Sequence, residues 1–438
     1  MAERRAEDLI RGIGVRQLAA SIVNSTIGAG IFVVPALIAQ SLGPAAPIAY
    51  LICAVTMALV VTTFAMAASR VTVTGGLFAY VETAFGPYIG FLAGTLQWLG
   101  ALVAAGGVAV ALLDAMTVVV PSLQIPAARL AMLAAVLIGF ATLNARGVRT
   151  GARTIELLTV GKLLPLAVFV GVGAFFVDPA ALLWTESPEP ATVRRAVLLL
   201  IFAFVGIEIA LTPSGEVKRP AASVPKAIYL ALGTTTAFYL AIQVVAQGVL
   251  GPELAAHTQS PLADASRRFL GASGVALMLG GTLISMLGYL SGDALCSPRN
   301  LYAFGRDGFL PAAFARVHPV TRSPRLAIWT HTVIVFALAS TGSFESLAIM
   351  ANVATLALYA MACLAAVALM RRNVRIDGDA PFVVPGATAI AILATAASLF
   401  VMSSATAKEF AATGATLAIA SLLYLLRRRT NPAAPAGV

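Results

Sequence analysis

Apolar residues in this chain run in blocks of twenty or more, separated by short charged or Pro/Gly-rich breaks, and this pattern restricts the fold more than any other feature. About 20 apolar residues in a helix cross the hydrocarbon core of a bilayer. Inside that core every backbone N–H and C=O needs a partner within the protein, so helices are the expected solution. With 59% hydrophobic and 11% charged residues among 438, the sequence reads as an all-α integral membrane protein. Twelve candidate transmembrane helices begin near Arg16, Pro44, Tyr88, Gln124, Ile155, Arg195, Pro225, Ala272, Pro324, Phe344, Gly386 and Glu409. The residues ahead of the first, 1–17, mix Glu3, Glu7 and Asp8 with arginines and precede an apolar run too long for a signal peptide, which points to a retained first span.

Basic residues sort to one side of these spans. With the N-terminus inside, 22 of the 29 Lys and Arg fall on the cytoplasmic side and six outside, while Lys162 lies within a span. That asymmetry predicts a multi-pass protein of the cell membrane with both termini in the cytoplasm. It also accounts for the net charge of +10 without a nucleic acid partner. Cys53, Cys296 and Cys363 sit singly in apolar segments, as helix packing residues do, and His257, His318 and His331 have no ligand-like spacing, so neither a metal nor another cofactor is expected. Gly161-Lys162 is followed by Leu inside a span, unlike a phosphate-binding loop, and no nucleophile stands with a base, so an enzyme is not expected. No polar segment exceeds about 25 residues, which leaves one membrane domain over 1–438. Its expected parts are a cytoplasmic tail (1–15), a first five-helix unit (16–177), a second (194–371), helices eleven and twelve (386–426) and a second cytoplasmic tail (427–438).

The first span contains "NSTIGAGIFVVP", Asn24 to Pro35, with two glycines and a proline where the chain is most apolar. An unwound turn at membrane depth survives only when it is buried in protein or lines a polar cavity. A helix restarting at Ile31 would present N–H groups and a positive dipole end, suited to a carboxylate. The same small residues also suit close helix packing, and the stretch alone does not separate the two readings. The sixth span, "IFAFVGIEIALTPSGE", repeats the feature with Gly206 in mid-span, Glu208 beside it and Pro213 at its end. Breaks at matching positions of the first and sixth spans point to an inverted repeat of five plus five helices holding a ligand between them. The last two helices are then peripheral additions.

"IGAGIF", "TGGLFAYVETAFG", "FVGIE", "SGEVKRPAASVPKAI" and "SPRNLYAFGRDGFLP" follow one another in this chain, and in that order it resembles the amino acid, polyamine and organocation transporter superfamily from about Gln17 to Arg372. The resemblance implies a LeuT-like fold with broken helices 1 and 6 and no enzymatic activity. It implies secondary transport of an amino acid by alternating access, as a proton symporter or an exchanger. A polyamine or other organic amine carrier, or a non-transporting amino acid sensor, would share the scaffold. Backbone around Ile27, Gly28, Ala29 and Gly30 would take the substrate carboxylate, and carbonyls of Phe204, Val205 and Ile207 beside Gly206 its amino group. Phe202 occupies the position of an aromatic lid.

Five further charged positions are candidates. Glu208 at mid-membrane has to pair, protonate or face water, and reads either as a proton-responsive gate or as a brace for the break. Lys162 in "TVGKLLPLAVF" either snorkels to the cytoplasmic edge or, as the resemblance implies, places its ammonium between helices one and eight where sodium-coupled relatives bind an ion. Asp293 in "YLSGDALCSPR" falls where some antiporters hold an aromatic against the substrate side chain, and there it would favour a cationic substrate; alternatively it pairs with Arg299 or Arg306. The small residues of "QWLGALVAAGG", Gln97 to Gly107, favour a small neutral one instead. Arg306 and Asp307 match the family's cytoplasmic loop and are expected to brace the inner gate or to be solvated surface. The segment 74–85 reads as an amphipathic helix along the cytoplasmic face or gate.

Overall fold

In a computed structural model of the full chain, residues 14–71, 76–146, 162–184, 187–208, 211, 217–306, 308–321, 323–375 and 380–430 are described. Asp307 and most of the two tails lie outside them. The protein is an all-helical membrane protein. Its helices are α1 (Val15–Thr26), α2 (Gly30–Leu42), α3 (Ala46–Ala68), α4 (Leu77–Phe85), α5 (Pro87–Val119), α6 (Pro126–Ala145) and α7 (Lys162–Phe176). After these come α8 (Pro190–Phe204), α9 (Pro220–Leu250), α10 (Pro261–Cys296), α11 (Pro298–Arg306), α12 (Arg325–Thr341), α13 (Phe344–Arg371), α14 (Ala387–Met402) and α15 (Ala407–Thr430). Among the described residues, seven helical stretches are long and apolar enough to cross a membrane, and α7, α12 and α14 are shorter apolar helices.

The first span is indeed two helices. α1 ends at Ile27, whose ψ of 78° leaves the helical region, and α2 begins at Gly30. The sixth span stops at Phe204 in the same way: Val205 is extended and Gly206 has φ 117°, a conformation that only glycine adopts without strain. Around these interrupted helices α3 packs on α9, α5 on α10 and α13, and α12 on α5 and α6.

Several boundaries differ from those read in the sequence. α10 starts at Pro261, ahead of the expected Ala272, because a polar segment with Asp264, Arg267 and Arg268 forms a helical stretch of its own before a bend at Gly271 (φ 61°). The apolar part does begin just after that bend. The described part of segment 74–85, α4, does not simply lie along a surface. Leu77, Tyr80, Val81 and Ala84 are buried against α5 and α13, and Arg372 Nη1 donates to the Ala84 carbonyl at 2.7 Å. Cys53 and Cys363 are buried packing residues as expected, whereas Cys296 is exposed at the end of α10. α14 and α15 present exposed Ile392, Leu393, Phe400, Leu422 and Leu425, the character of an outer, lipid-facing layer. Their inner sides are tied in: Arg195 of α8 makes a bidentate pair with Glu409 of α15, at 2.8 and 2.9 Å.

Candidate functional site

The two breaks touch. A Cβ at Gly206 would stand 2.6 Å from the Ser25 carbonyl oxygen, and one at Gly30 3.0 Å from Ala203 Cα. Gly30 and Gly206 are therefore required by close approach of backbones. Gly28 is not: its nearest neighbour would be the Tyr289 ring at 3.8 Å, ordinary contact distance. Packing and binding, the two readings of the glycines, thus divide between residues of one short stretch.

At the first break, the Ile27 and Gly28 N–H groups are already engaged, by Val23 O at 2.9 Å and Thr26 O at 2.8 Å. The donors at the start of the new helix are therefore those from Ala29 to Ile31, which have no carbonyl one turn earlier within α2. They open α2 with the positive end of its dipole at the break. Facing them, α8 ends with carbonyls beyond its own hydrogen-bond ladder, a negative dipole end suited to an ammonium. An N–H cluster and a carbonyl cluster a few residues apart match the two charged groups of an amino acid zwitterion.

Side chains from four other helices hold this arrangement. Lys162 Nζ donates to the Asn24 carbonyl at 2.6 Å and is 8% exposed, so it does not snorkel but reaches the last turn of α1. Ser285 Oγ of α10 donates to the Gly28 carbonyl at 3.1 Å. α7 and α10 meet closely beside it, where a Cβ on Gly281 would stand 2.7 Å from the Pro165 ring. Tyr239 Oη of α9 lies 2.9 Å from the Thr26 carbonyl and 2.8 Å from the Ala203 carbonyl. With one proton on that hydroxyl, its donation is shared between the two broken helices. Glu208 folds back on its own break: its Oε2 accepts from the Gly206 N–H at 3.0 Å and from the Tyr359 hydroxyl of α13 at 2.6 Å. Asn352, two turns before Tyr359 on α13, donates to the Leu198 carbonyl of α8 at 2.7 Å.

The two sides of the breaks differ in access. Residues 30–36 of α2 and 196–204 of α8 are all buried, and the Phe202 ring packs edge-on against Phe344 at 5.3 Å. On the α1 side Gln17 and Ser21 are exposed and Asn24 and Gly28 half-buried, a polar stripe at helical spacing. A lipid-facing stripe would be apolar, so this polar one gives the α1 side of the break an accessibility that the buried α2 side lacks. In the 97–107 stretch of α5 the half-buried residues are Gln97, Trp98 and Ala101. The glycines expected to line a small-substrate wall instead let α5 approach its neighbours: Gly100 abuts Thr355, Gly106 Leu338 and Gly107 Leu347.

Asp293 does not project alone into this space. Its carboxylate accepts from Ser297 Oγ through Oδ1, and its Oδ2 lies 2.8 Å from His331 Nε2 of α12. Arg299, an expected partner, donates to the Ala294 carbonyl instead. Arg306 closes α11 and is exposed. Tyr239, Ser285, Asn352 and Tyr359 were not singled out in the sequence, and His331 was named there only as lacking ligand-like spacing. Each is a polar residue inside an apolar span, and that was the available signal.

Residues 13–426 match the protein family described as Amino acid permease. The chain is 26% identical to a methylthioribose transporter of Bacillus subtilis, over 98% of this chain and 96% of that protein. It is 26% identical to a branched-chain amino acid permease of the same organism, over 90% and 88%, and 28% identical to an arginine/agmatine antiporter of Chlamydia abortus, over 74% and 70%. These are transporters rather than enzymes, and the solutes in their names differ widely. With a match that runs through nearly every described helix and both breaks, the chain belongs to the amino acid permease family, multi-pass membrane transporters of amino acids and related solutes.

Proposed function

We propose that the protein is a sodium-independent secondary transporter of a neutral amino acid, working by alternating access between the two breaks. The observation that carries this reading is the juxtaposition of the α2 N-terminus with the α8 C-terminus, Gly30 lying against Ala203, with Tyr239 tying the end of α1 to α8 beside them. The substrate carboxylate meets the N–H groups from Ala29 to Ile31, and its ammonium meets carbonyls of Phe204, Val205 and Ile207. Phe202, packed on Phe344, closes the path on the α2 side, and the polar stripe of α1 leaves the opposite path open.

Twelve spans in two inverted units of five, with α14 and α15 added, give this arrangement. Support comes from α3 packing on α9 and α5 on α10, each pair being corresponding helices of the two units. The charge asymmetry supports a cell-membrane protein with both termini in the cytoplasm, an orientation in which the open path faces inward. Lys162 supplies a fixed positive charge against the Asn24 carbonyl, which supports independence from sodium. Glu208 and Tyr359 brace the second break as part of the gate. A neutral substrate is favoured because the Asp293 carboxylate already has two partners within the protein.

The test is uptake into liposomes carrying the purified protein, with labelled alanine, leucine, lysine, arginine and putrescine, each with and without sodium and an inward proton gradient. Saturable uptake of alanine or leucine, unchanged by sodium, is expected. Putrescine uptake alone would assign the chain to amines, and no saturable uptake of any of the five would refute transport.

A further inference from the structure

The Asp293–His331 pair takes no part in the site described above. It joins α10 to α12 within the protein, with the two side chains 7% and 2% exposed. His331 Nδ1 is buried and, among the described residues, has no hydrogen-bond partner. On α10, Tyr289 and Cys296 lie within electrostatic range of Asp293. On α11, Arg299 faces Cys296. On the other helices packed against α12, Asp114 of α5 and Arg129 of α6 are paired with each other at 2.6 Å.

We propose that Asp293 and His331 form a proton-binding site used in the transport cycle, and that its occupancy sets how firmly α10 is held to α12. The proposal rests on the transporter reading. A neutral imidazole carries one N–H, and the 2.8 Å contact places it on Nε2, donating to Asp293. Nδ1 is then the atom that takes a proton from water. That step turns a buried carboxylate beside a neutral ring into an ion pair of zero net charge, which membrane depth favours.

The pair also has mechanical reach. Two turns along α10 from Asp293, Ser285 donates to the Gly28 carbonyl, and between them the Tyr289 ring lies against Gly28. One helix segment therefore carries the proton site at one end and a support of the first break at the other, about 12 Å apart. Tightening α10 onto α12 shifts both together. The proton site is separate from Glu208, whose described partners are Gly206 and Tyr359.

The chain has three histidines, so a His257→Gln, His318→Gln background leaves His331 as the single imidazole for nitrogen-15 NMR in nanodiscs. The expected result is a change from the neutral to the cationic pattern as the pH is lowered from about 9 to about 5. Asp293→Asn removes the carboxylate that balances the cation and should suppress that change. In liposomes, His331→Gln should flatten the pH profile of uptake, whereas the His257→Gln, His318→Gln background keeps it. A ring that holds one protonation state across that range, or a His331→Gln variant with the full pH profile, would overturn the proposal. Failure of the unaltered protein to take up any substrate would overturn the transport reading and the cycle's use of this proton, while the NMR pattern would still report whether the ring takes the proton.

Discussion

The two breaks sit back to back and are built by different means. The first departs from helical geometry with no left-handed residue, and it is held from outside: Lys162, Ser285 and Tyr239 donate to the carbonyls of Asn24, Gly28 and Thr26. The second turns on Gly206 at φ 117° and is closed by its own neighbour, Glu208, with Tyr359 behind it. A break held by donors on separate helices is released when those helices move. A break set by its own backbone keeps its shape. The first is therefore the moving half of the site and the second its fixed half, and substitutions should separate them.

The largest effect is expected at Gly206→Ala. A Cβ there combines a left-handed backbone, costing about 1–3 kcal/mol, with a 2.6 Å approach to the Ser25 carbonyl. Uptake should fall to background and the melting temperature in detergent should drop. Next comes Lys162→Met, which keeps the length of the side chain and removes the ammonium. Losing a charged hydrogen bond of about 1.5–3 kcal/mol predicts uptake reduced about 10- to 100-fold, with the fold retained. Restoration of activity by sodium would show that the site accepts an ion in place of the ammonium; no restoration is the expected result.

Tyr239→Phe removes the hydroxyl that joins the halves, at about 1 kcal/mol, and should change the apparent affinity for substrate about fivefold. Glu208→Gln retains a carbonyl acceptor for Gly206 and Tyr359, so uptake should stay within about threefold of the unaltered protein and its pH profile should be preserved. Loss of the pH profile in this variant would move proton coupling from His331 to Glu208. Gly28→Ala is expected to be the mildest for stability, within about 0.5 kcal/mol, since its Cβ would stand at ordinary contact distance from the Tyr289 ring and the Thr26 carbonyl. Any loss of substrate affinity there, measured by competition, comes from crowding the ligand.

Much of this was legible in the sequence. Glycines and a proline in the most apolar runs locate both breaks because backbone polarity in lipid has so few solutions. Lys162 and Glu208 stand out because ionisable residues within spans are costly. What holds the breaks was not legible. Tyr239, Tyr359 and Asn352 reach partners 36 to 213 residues away, and no local pattern encodes such a contact. The α5 glycines were read as a substrate wall because small residues serve cavities and close packing alike, and only the neighbours Thr355, Leu338 and Leu347 decide between them. The polar start of α10 was missed because Asp264, Arg267 and Arg268 lower its hydropathy without ending its helix.

The most direct measurement of the central claim, that two helix ends share one zwitterion, is competition against labelled alanine or leucine by each amino acid's methyl ester and by its deaminated acid. If the α2 donors hold the carboxylate and the α8 carbonyls hold the ammonium, each analogue should compete about 10- to 100-fold more weakly than the amino acid. An ester or a deaminated acid that competes as well as the parent amino acid would contradict the account.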